Sequence, residues 1–415
     1  MKIPTVIRIK KRPLSGQLIW LLVLLPFWFG TMTELLGVPN GVRYVLDLAW
    51  VGLTVLPIPG RKHVPGALFL WVAAFGLVMA AAYVGRWQSG LYFLWGFRNN
   101  FRLYAAFFAF CTFLTREEGE GYLEKLEGLF RLNIPVTLFQ FFALGKSGDY
   151  LGGLFGTAQG CNAYTNVFFC IVVTRSVVGV LEKGEPWNRC LGNCFWALLL
   201  AALGEIKFFF LEFGAIVILA AVFSGCSGRK FWLLAGGAVG ILLGAVLLEV
   251  LFPNFRGWLS LQWLLDAAGS DRGYTSSGDL NRLNGIFVIK RSFFRTPGLR
   301  LLGLGLGNCD TSAFPFLNTP FYRVFSHLHY TWMSTSFWYL EGGWVGLVFF
   351  FGFFVLVFRA AGSACREGDA LGGNLARIMA VICCMIGFYN ASLRTEAAYM
   401  AYFVLALPFQ NRRNP

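Results

Sequence analysis

Long apolar runs recur along the whole chain, and each is close to the ~17–25 residues a helix needs to cross a hydrocarbon core of ~30 Å. They lie at 17–37, 43–58, 65–85, 99–115, 128–145, 163–182, 190–204, 208–223, 231–251, 343–358, 375–390 and 396–410. At 57% hydrophobic and only 13% charged content over 415 residues, the chain is too apolar for a soluble globular protein. The stretches between runs leave no room for a soluble domain of ordinary size. The expected class is all-α: a polytopic integral membrane protein of about twelve transmembrane helices, forming a single membrane domain over residues 1–415.

The formal charge of +14 does not point to nucleic acid, because basic residues gather on the cytoplasmic side of membrane proteins. With the N-terminus inside, inside segments hold twenty Lys and Arg and the short outside segments hold seven. The remaining eight of the 35 lie in one loop long enough to be exempt from the bias. Both termini are therefore expected in the cytoplasm and the long loop outside. This orientation requires 190–223 to be two helices: as one, it would span about 51 Å. The break is expected at Gly204-Glu-Ile-Lys207. Lys10-Lys-Arg12 before the first run resembles a signal sequence, but no small-residue cleavage site follows, so a retained first span is expected. The ten Cys show no paired spacing, which argues against a zinc site or a disulfide framework; Cys161 and Cys309 are the two expected outside the membrane.

The loop at 252–328 is the one long polar interruption. It carries Arg256, Arg272, Arg282, Lys290, Arg291, Arg295, Arg300 and Arg323 against four Asp. A basic, glycine-punctuated external loop suits an anionic substrate. Arg282 can meet a phosphate with two parallel N–H bonds, which an ammonium cannot, though each such Arg can equally anchor to lipid head groups. The stretch from Ile286 onward is expected to lie on the membrane surface as an amphipathic segment. The ladder Gly303-Leu-Gly-Leu-Gly307 is then expected to be flexible backbone that lets a ligand approach.

His327 and His329 close the loop and are two of only three histidines. An imidazole here suits a general base taking a proton from a sugar hydroxyl; the plain alternative is an interfacial histidine satisfied by backbone or water. Glu205, Lys207 and Glu212 fall at the turn between two short helices, where ionisable groups are paired or functional. Lys207 either pairs with Glu212 or faces the same anion as Arg282. Arg175 is expected to snorkel near a cytoplasmic helix end. In the Gly-rich segment 152–166, Asn162 and Asn166 share a helix face and suit sugar hydroxyls, unless Asn162 only caps the helix. No Asp-x-Asp pair or His/Asp/Glu cluster is visible in the external segments. No metal and no cofactor is therefore expected, and fixed Arg and Lys would neutralise a diphosphate.

These features together resemble the O-antigen ligase and polymerase family of bacterial surface-polysaccharide enzymes. The resemblance rests on the twelve spans, on Leu154-Phe-Gly156 with Asn162, and on the large loop between the ninth and tenth spans. It also rests on the order Arg282, Pro297, Gly303-x-Gly-x-Gly307, His, Glu341-x-Gly343-x-x-Gly346. It covers nearly the whole chain. Two departures stand out: His329 is twelve residues before Glu341 and is followed by Tyr330 rather than Asn, and Lys207 occupies the place of a family Arg.

The resemblance implies a metal-independent, inverting glycosyltransferase in the bacterial cytoplasmic (inner) membrane. It would use a polyprenyl-diphosphate-linked oligosaccharide donor and a glycan acceptor hydroxyl, alongside other polysaccharide-assembly membrane proteins. The expectation is a polysaccharide polymerase, with His329 and Arg282 catalytic and with Lys207, Arg291, Asn162, His327 and Glu341 binding substrate. Two alternatives stand beside it: a ligase moving finished glycan to a lipid or protein, and a flippase of lipid-linked sugars. A flippase predicts internal repeats and charged mid-span residues, which the sequence lacks.

Overall fold

A computed structural model describes residues 14–39, 44, 65–85, 89–225, 228–251, 273–275, 278–282 and 284–410. Helix dominates, and among the described residues the only β-type pairing is one isolated bridge between Tyr274 and Leu280. Chains placed in lipid must satisfy every backbone group internally, which long apolar helices do. Five helices are long and apolar enough to cross a membrane: Gly66–Val84, Asn162–Lys183, Gly228–Leu251, Ser334–Arg366 and Ala370–Tyr389.

In chain order the α-helices are α1 Leu14–Leu36, α2 Gly66–Val84, α3 Gly90–Phe113 and α4 Arg116–Phe142. They continue with α5 Asn162–Val178, extended by a π turn to Lys183, then α6 Trp187–Leu203, α7 Lys207–Phe223 and α8 Gly228–Leu251. Three short helices follow in the long loop: α9 Gly285–Ser292, α10 Pro297–Leu302 and α11 Pro320–Phe325. The chain closes with α12 Ser334–Arg366, α13 Ala370–Tyr389 and α14 Ala398–Ala406. Eleven of the apolar runs coincide with helices; the run at 43–58 and loop residues 252–272 lie outside the described residues. The break expected at 204–207 is present, with Gly204 ending α6 and Glu205 in a left-handed turn (φ 53°).

Helix α5 is the enclosed centre of the bundle, whereas α2 and α8 turn apolar side chains such as Leu70, Leu77, Trp232 and Leu243 outward. The core is strongly aromatic. Phe75 stacks on Phe349 at 5.0 Å, and Tyr402 stacks on Phe353 at 5.6 Å, joining α2, α12 and α14. Helices α12 and α13 pack along much of their length. Helix α12 begins nine residues before the apolar run at 343–358 and is kinked at Gly343 (φ 60°, ψ −153°).

Ionic groups collect at the two ends of the bundle. At one end Arg116 meets Asp369 at 2.6 Å, Lys183 meets Glu120 at 2.7 Å, and Arg175 meets Glu185 at 2.6 Å. Arg175 is only 5% exposed, so the expected snorkelling is corrected: Glu185, two residues past the π turn, neutralises it in place. At the opposite end lie the long loop and the groups described next.

Candidate functional site

The Gly-rich segment after α4 is held from below by amide side chains of that helix. Gln140 donates to the Gly153 carbonyl at 2.8 Å and accepts from the Gly153 N–H at 2.7 Å, while Asn133 accepts from Leu154 N–H at 2.8 Å. Gly153 is at φ 58°, and a Cβ there would stand 2.2 Å from Asn133 Oδ1, so glycine is required. This clamp presents Asp149 to the start of α5, where the Asn162 amide donates to Asp149 Oδ1 at 2.8 Å. The cap position is Cys161, not Asn162, so the side chain of Asn162 is committed to Asp149 rather than to the helix terminus.

Asp149 is electrostatically linked to both Glu205 and Lys207 in the turn between α6 and α7. Lys207 also lies within the field of Arg282. Arg282 sits over the Tyr389 ring at 4.2 Å and donates to the Tyr389 carbonyl; that ring stacks on Phe208 at 4.1 Å. Stacking and one backbone bond fix the guanidinium plane while its side chain stays exposed. Burial pushes the Glu205 carboxyl above its ordinary value; Lys207 opposes this and Asp149 reinforces it. Asn162, Lys207 and Arg282, drawn from three distant segments, are thus neighbours around Asp149. Helix α7 keeps Glu212 in the bundle interior, where it accepts from the Cys170 thiol at 3.3 Å.

Three residues before Arg282, Asp279 reaches the histidine pair. His329 Nδ1 is 2.5 Å from Asp279 Oδ1, and the imidazole stacks on Trp332 at 3.8 Å. The partners are 50 positions apart in sequence and are brought together where Leu280 N–H donates to the Leu328 carbonyl at 3.1 Å. Among the described residues, the two non-glycine residues at positive φ are Glu205 (53°) and His329 (49°). Both belong to this region, and backbone strain of this kind collects at functional sites.

Other expected site residues are placed differently. Glu341 is fully buried and accepts from the Cys309 N–H at 3.0 Å, so the carboxylate is enclosed and tied to the loop backbone. The glycine ladder is likewise not flexible. Leu304 N–H donates to the Leu340 carbonyl at 2.6 Å and Gly305 N–H to the Glu341 carbonyl at 2.9 Å. Glycine there serves backbone-to-backbone packing against the kinked start of α12 and against α3. The stretch from Ile286 is not a free surface helix, because α9 buries Gly285 and Ile289 against α12. His327 is exposed and its Nδ1 lies 3.1 Å from the Val324 carbonyl, away from Asp279. Arg291 is exposed in the last turn of α9.

A buried polar clamp beside the site escaped the sequence reading. Arg394, counted there only as an outside charge, sits over Phe337 at 2.9 Å and meets Asp310 at 3.5 Å. Burial draws its guanidinium down while Asp310 and Glu341 oppose. Asn99 donates to Asp310 at 2.8 Å, and Arg102 meets Glu396 at 3.1 Å, with the Tyr164 hydroxyl donating to the same carboxylate at 3.0 Å. These pairs lock the loop, α3 and α14 together around the site. The signal available was charge at apolar-run ends, without any indication of which partners it would find.

Cys161 and Cys309 are buried, separate thiols; burial first, then Glu34, pushes Cys161 up to about 12. A cavity of about 360 Å³ between α6, α7 and α8 is lined by apolar groups such as Leu198, Phe213 and Leu243, apart from the polar site. Among the described residues no group of three or more His, Cys, Asp or Glu could hold a metal. No family model matches the chain, and no curated protein matches it.

Proposed function

We propose that the chain is a polysaccharide polymerase of the bacterial cytoplasmic membrane, of the O-antigen ligase and polymerase type, with twelve spans, both termini cytoplasmic and the long loop outside. The observation that carries this reading is the convergence of Lys207, in the field of Arg282, with Asn162 on Asp149, while Asp279, three residues before Arg282, pairs with His329. A positioned guanidinium with a second cation in its field suits a diphosphate, whose charge must be balanced as it leaves. Arg282 brings a planar fork, Lys207 a point charge, and Asn162 with Asp149 a hydrogen-bonding edge for sugar hydroxyls.

In the proposed reaction the acceptor oxygen attacks the anomeric carbon from the face opposite the diphosphate. The new C–O bond forms as the old one breaks, and its electron pair leaves on the diphosphate between Arg282 and Lys207. The hydroxyl proton passes to His329, whose removal would cost about 10²–10⁴-fold in rate. Glu341, Gly303, Gly305 and Gly307 shape the loop and touch no substrate.

The test is glycan chain length on cells expressing Arg282→Ala or His329→Ala. The expected outcome is loss of long polymer with accumulation of single repeat units on lipid. Normal polymer at normal protein levels contradicts the assignment. Complete polymer left on its lipid carrier would instead favour the ligase reading.

A further inference from the structure

Asp279 is half-buried and sits in a turn that both its neighbours hold rigid. Its own N–H donates to the Thr275 hydroxyl at 3.2 Å, its carbonyl accepts from Thr275 N–H at 2.8 Å, and Leu280 N–H is bonded to Leu328. On the other side, His329 N–H donates to Ser326 at 3.0 Å, Trp332 N–H donates to the His329 carbonyl at 3.0 Å, and Trp332 covers one face of the ring. The His329 backbone is held left-handed, a conformation uncommon outside glycine. Two segments of chain are therefore anchored to each other by the Leu280–Leu328 backbone bond and by the side-chain contact of Asp279 Oδ1 with His329 Nδ1 at 2.5 Å.

A carboxylate can only accept, so Nδ1 carries the proton in this contact. That leaves Nε2 with its lone pair free and directed away from Asp279. We infer that Asp279 is the positioning residue for His329, holding the imidazole in the Nδ1–H form so that Nε2 takes the acceptor proton. This rests on the polymerase reading for the identity of the acceptor, but the pairing itself does not. When Nε2 is protonated, the Asp279 carboxylate faces the imidazolium that forms, and no proton need move to Asp279. The titratable groups nearest in chain and contact are Asp279, His327 and Arg282, of which only Asp279 touches the ring.

The experiment has two arms. In the first, ¹⁵N NMR of histidine-labelled protein in detergent reads the ring tautomer. Only three histidines are present, so His63→Gln and His327→Gln leave His329 as the single signal. The Nδ1–H form is expected in that background, with the Nε2–H form or a mixture in Asp279→Asn. An unchanged tautomer overturns the pairing, whatever the enzyme does. The second arm measures glycan transfer from lipid-diphosphate donor in proteoliposomes. Asp279→Asn is expected to lower kcat about 10- to 100-fold with donor KM nearly unchanged, Asp279→Glu to recover part of it, and Asp279→Asn combined with His329→Ala to be no worse than His329→Ala alone. Full activity in Asp279→Asn, or additive losses in the double variant, overturns the positioning role. No transfer by folded wild-type protein contradicts the polymerase reading and leaves the tautomer result to judge the pairing.

Discussion

Arg282 is useful at this site because it is anchored without being consumed. Its ring contact with Tyr389 and one carbonyl bond fix its plane, while its charge reaches Lys207. A lysine in its place would keep the charge and lose both the stacking and the fork. Arg282→Lys is therefore expected to reduce transfer about tenfold or more with protein levels unchanged; equal activity would show that only charge matters. Glu205 offers a test by pH. Its folded carboxyl is raised above the ordinary 4.5, so its contribution to stability is complete below the unfolded value and is lost as pH rises through the folded one. The gap in thermal midpoint between Glu205→Gln and wild type is expected to widen in the variant's favour from pH 4 to pH 7. A gap independent of pH contradicts this. Arg282 stood out in the sequence as part of the one long basic loop, and Lys207 and Asn162 as polar groups at the ends of apolar runs. Asp279 and Asp149 did not, since their roles depend on contacts made by distant parts of the chain.

The helices themselves were legible, because an apolar run of membrane length has few other ways to satisfy its backbone. The break at Gly204–Lys207 was also foreseen from length. The glycine ladder shows the opposite case. Its spacing suggested a flexible cradle for ligand, yet the glycines are there because backbone meets backbone. Gly307 is at φ 86°, and a Cβ on it would stand 1.9 Å from the Tyr92 carbonyl in α3. Sequence announces that something comes close to a glycine, but not what. Gly307→Ala should therefore cost about 2–4 kcal/mol, from the left-handed backbone and the overlap together. The expected outcome is a thermal midpoint several degrees lower in detergent, with donor affinity of the surviving folded protein retained. A variant as stable as wild type but unable to bind donor would return the ladder to a substrate role.

At the scale of the whole molecule, the two ends of the bundle are built differently. One end ties helix termini to each other through Arg116, Asp369, Lys183 and Glu120. The other gathers the long loop, the turn before α7 and the Gly-rich segment before α5 around a region where Arg282, Lys207 and a paired histidine stand near one another, with Arg394–Asp310 and Arg102–Glu396 securing the surroundings. The proposed enzyme of lipid-linked glycans would use this division: a membrane frame and one polar mouth where Arg282 and Lys207 stand among carboxylates. The direct test is single-turnover transfer in proteoliposomes, with a polyprenyl-diphosphate oligosaccharide supplied on the loop side to wild-type protein and to Arg282→Ala. The account predicts products extended by whole repeat units for wild type, each released with free polyprenyl diphosphate, and at least a hundredfold less for the variant. Folded wild-type protein that makes no product, or equal product from both proteins, would contradict it.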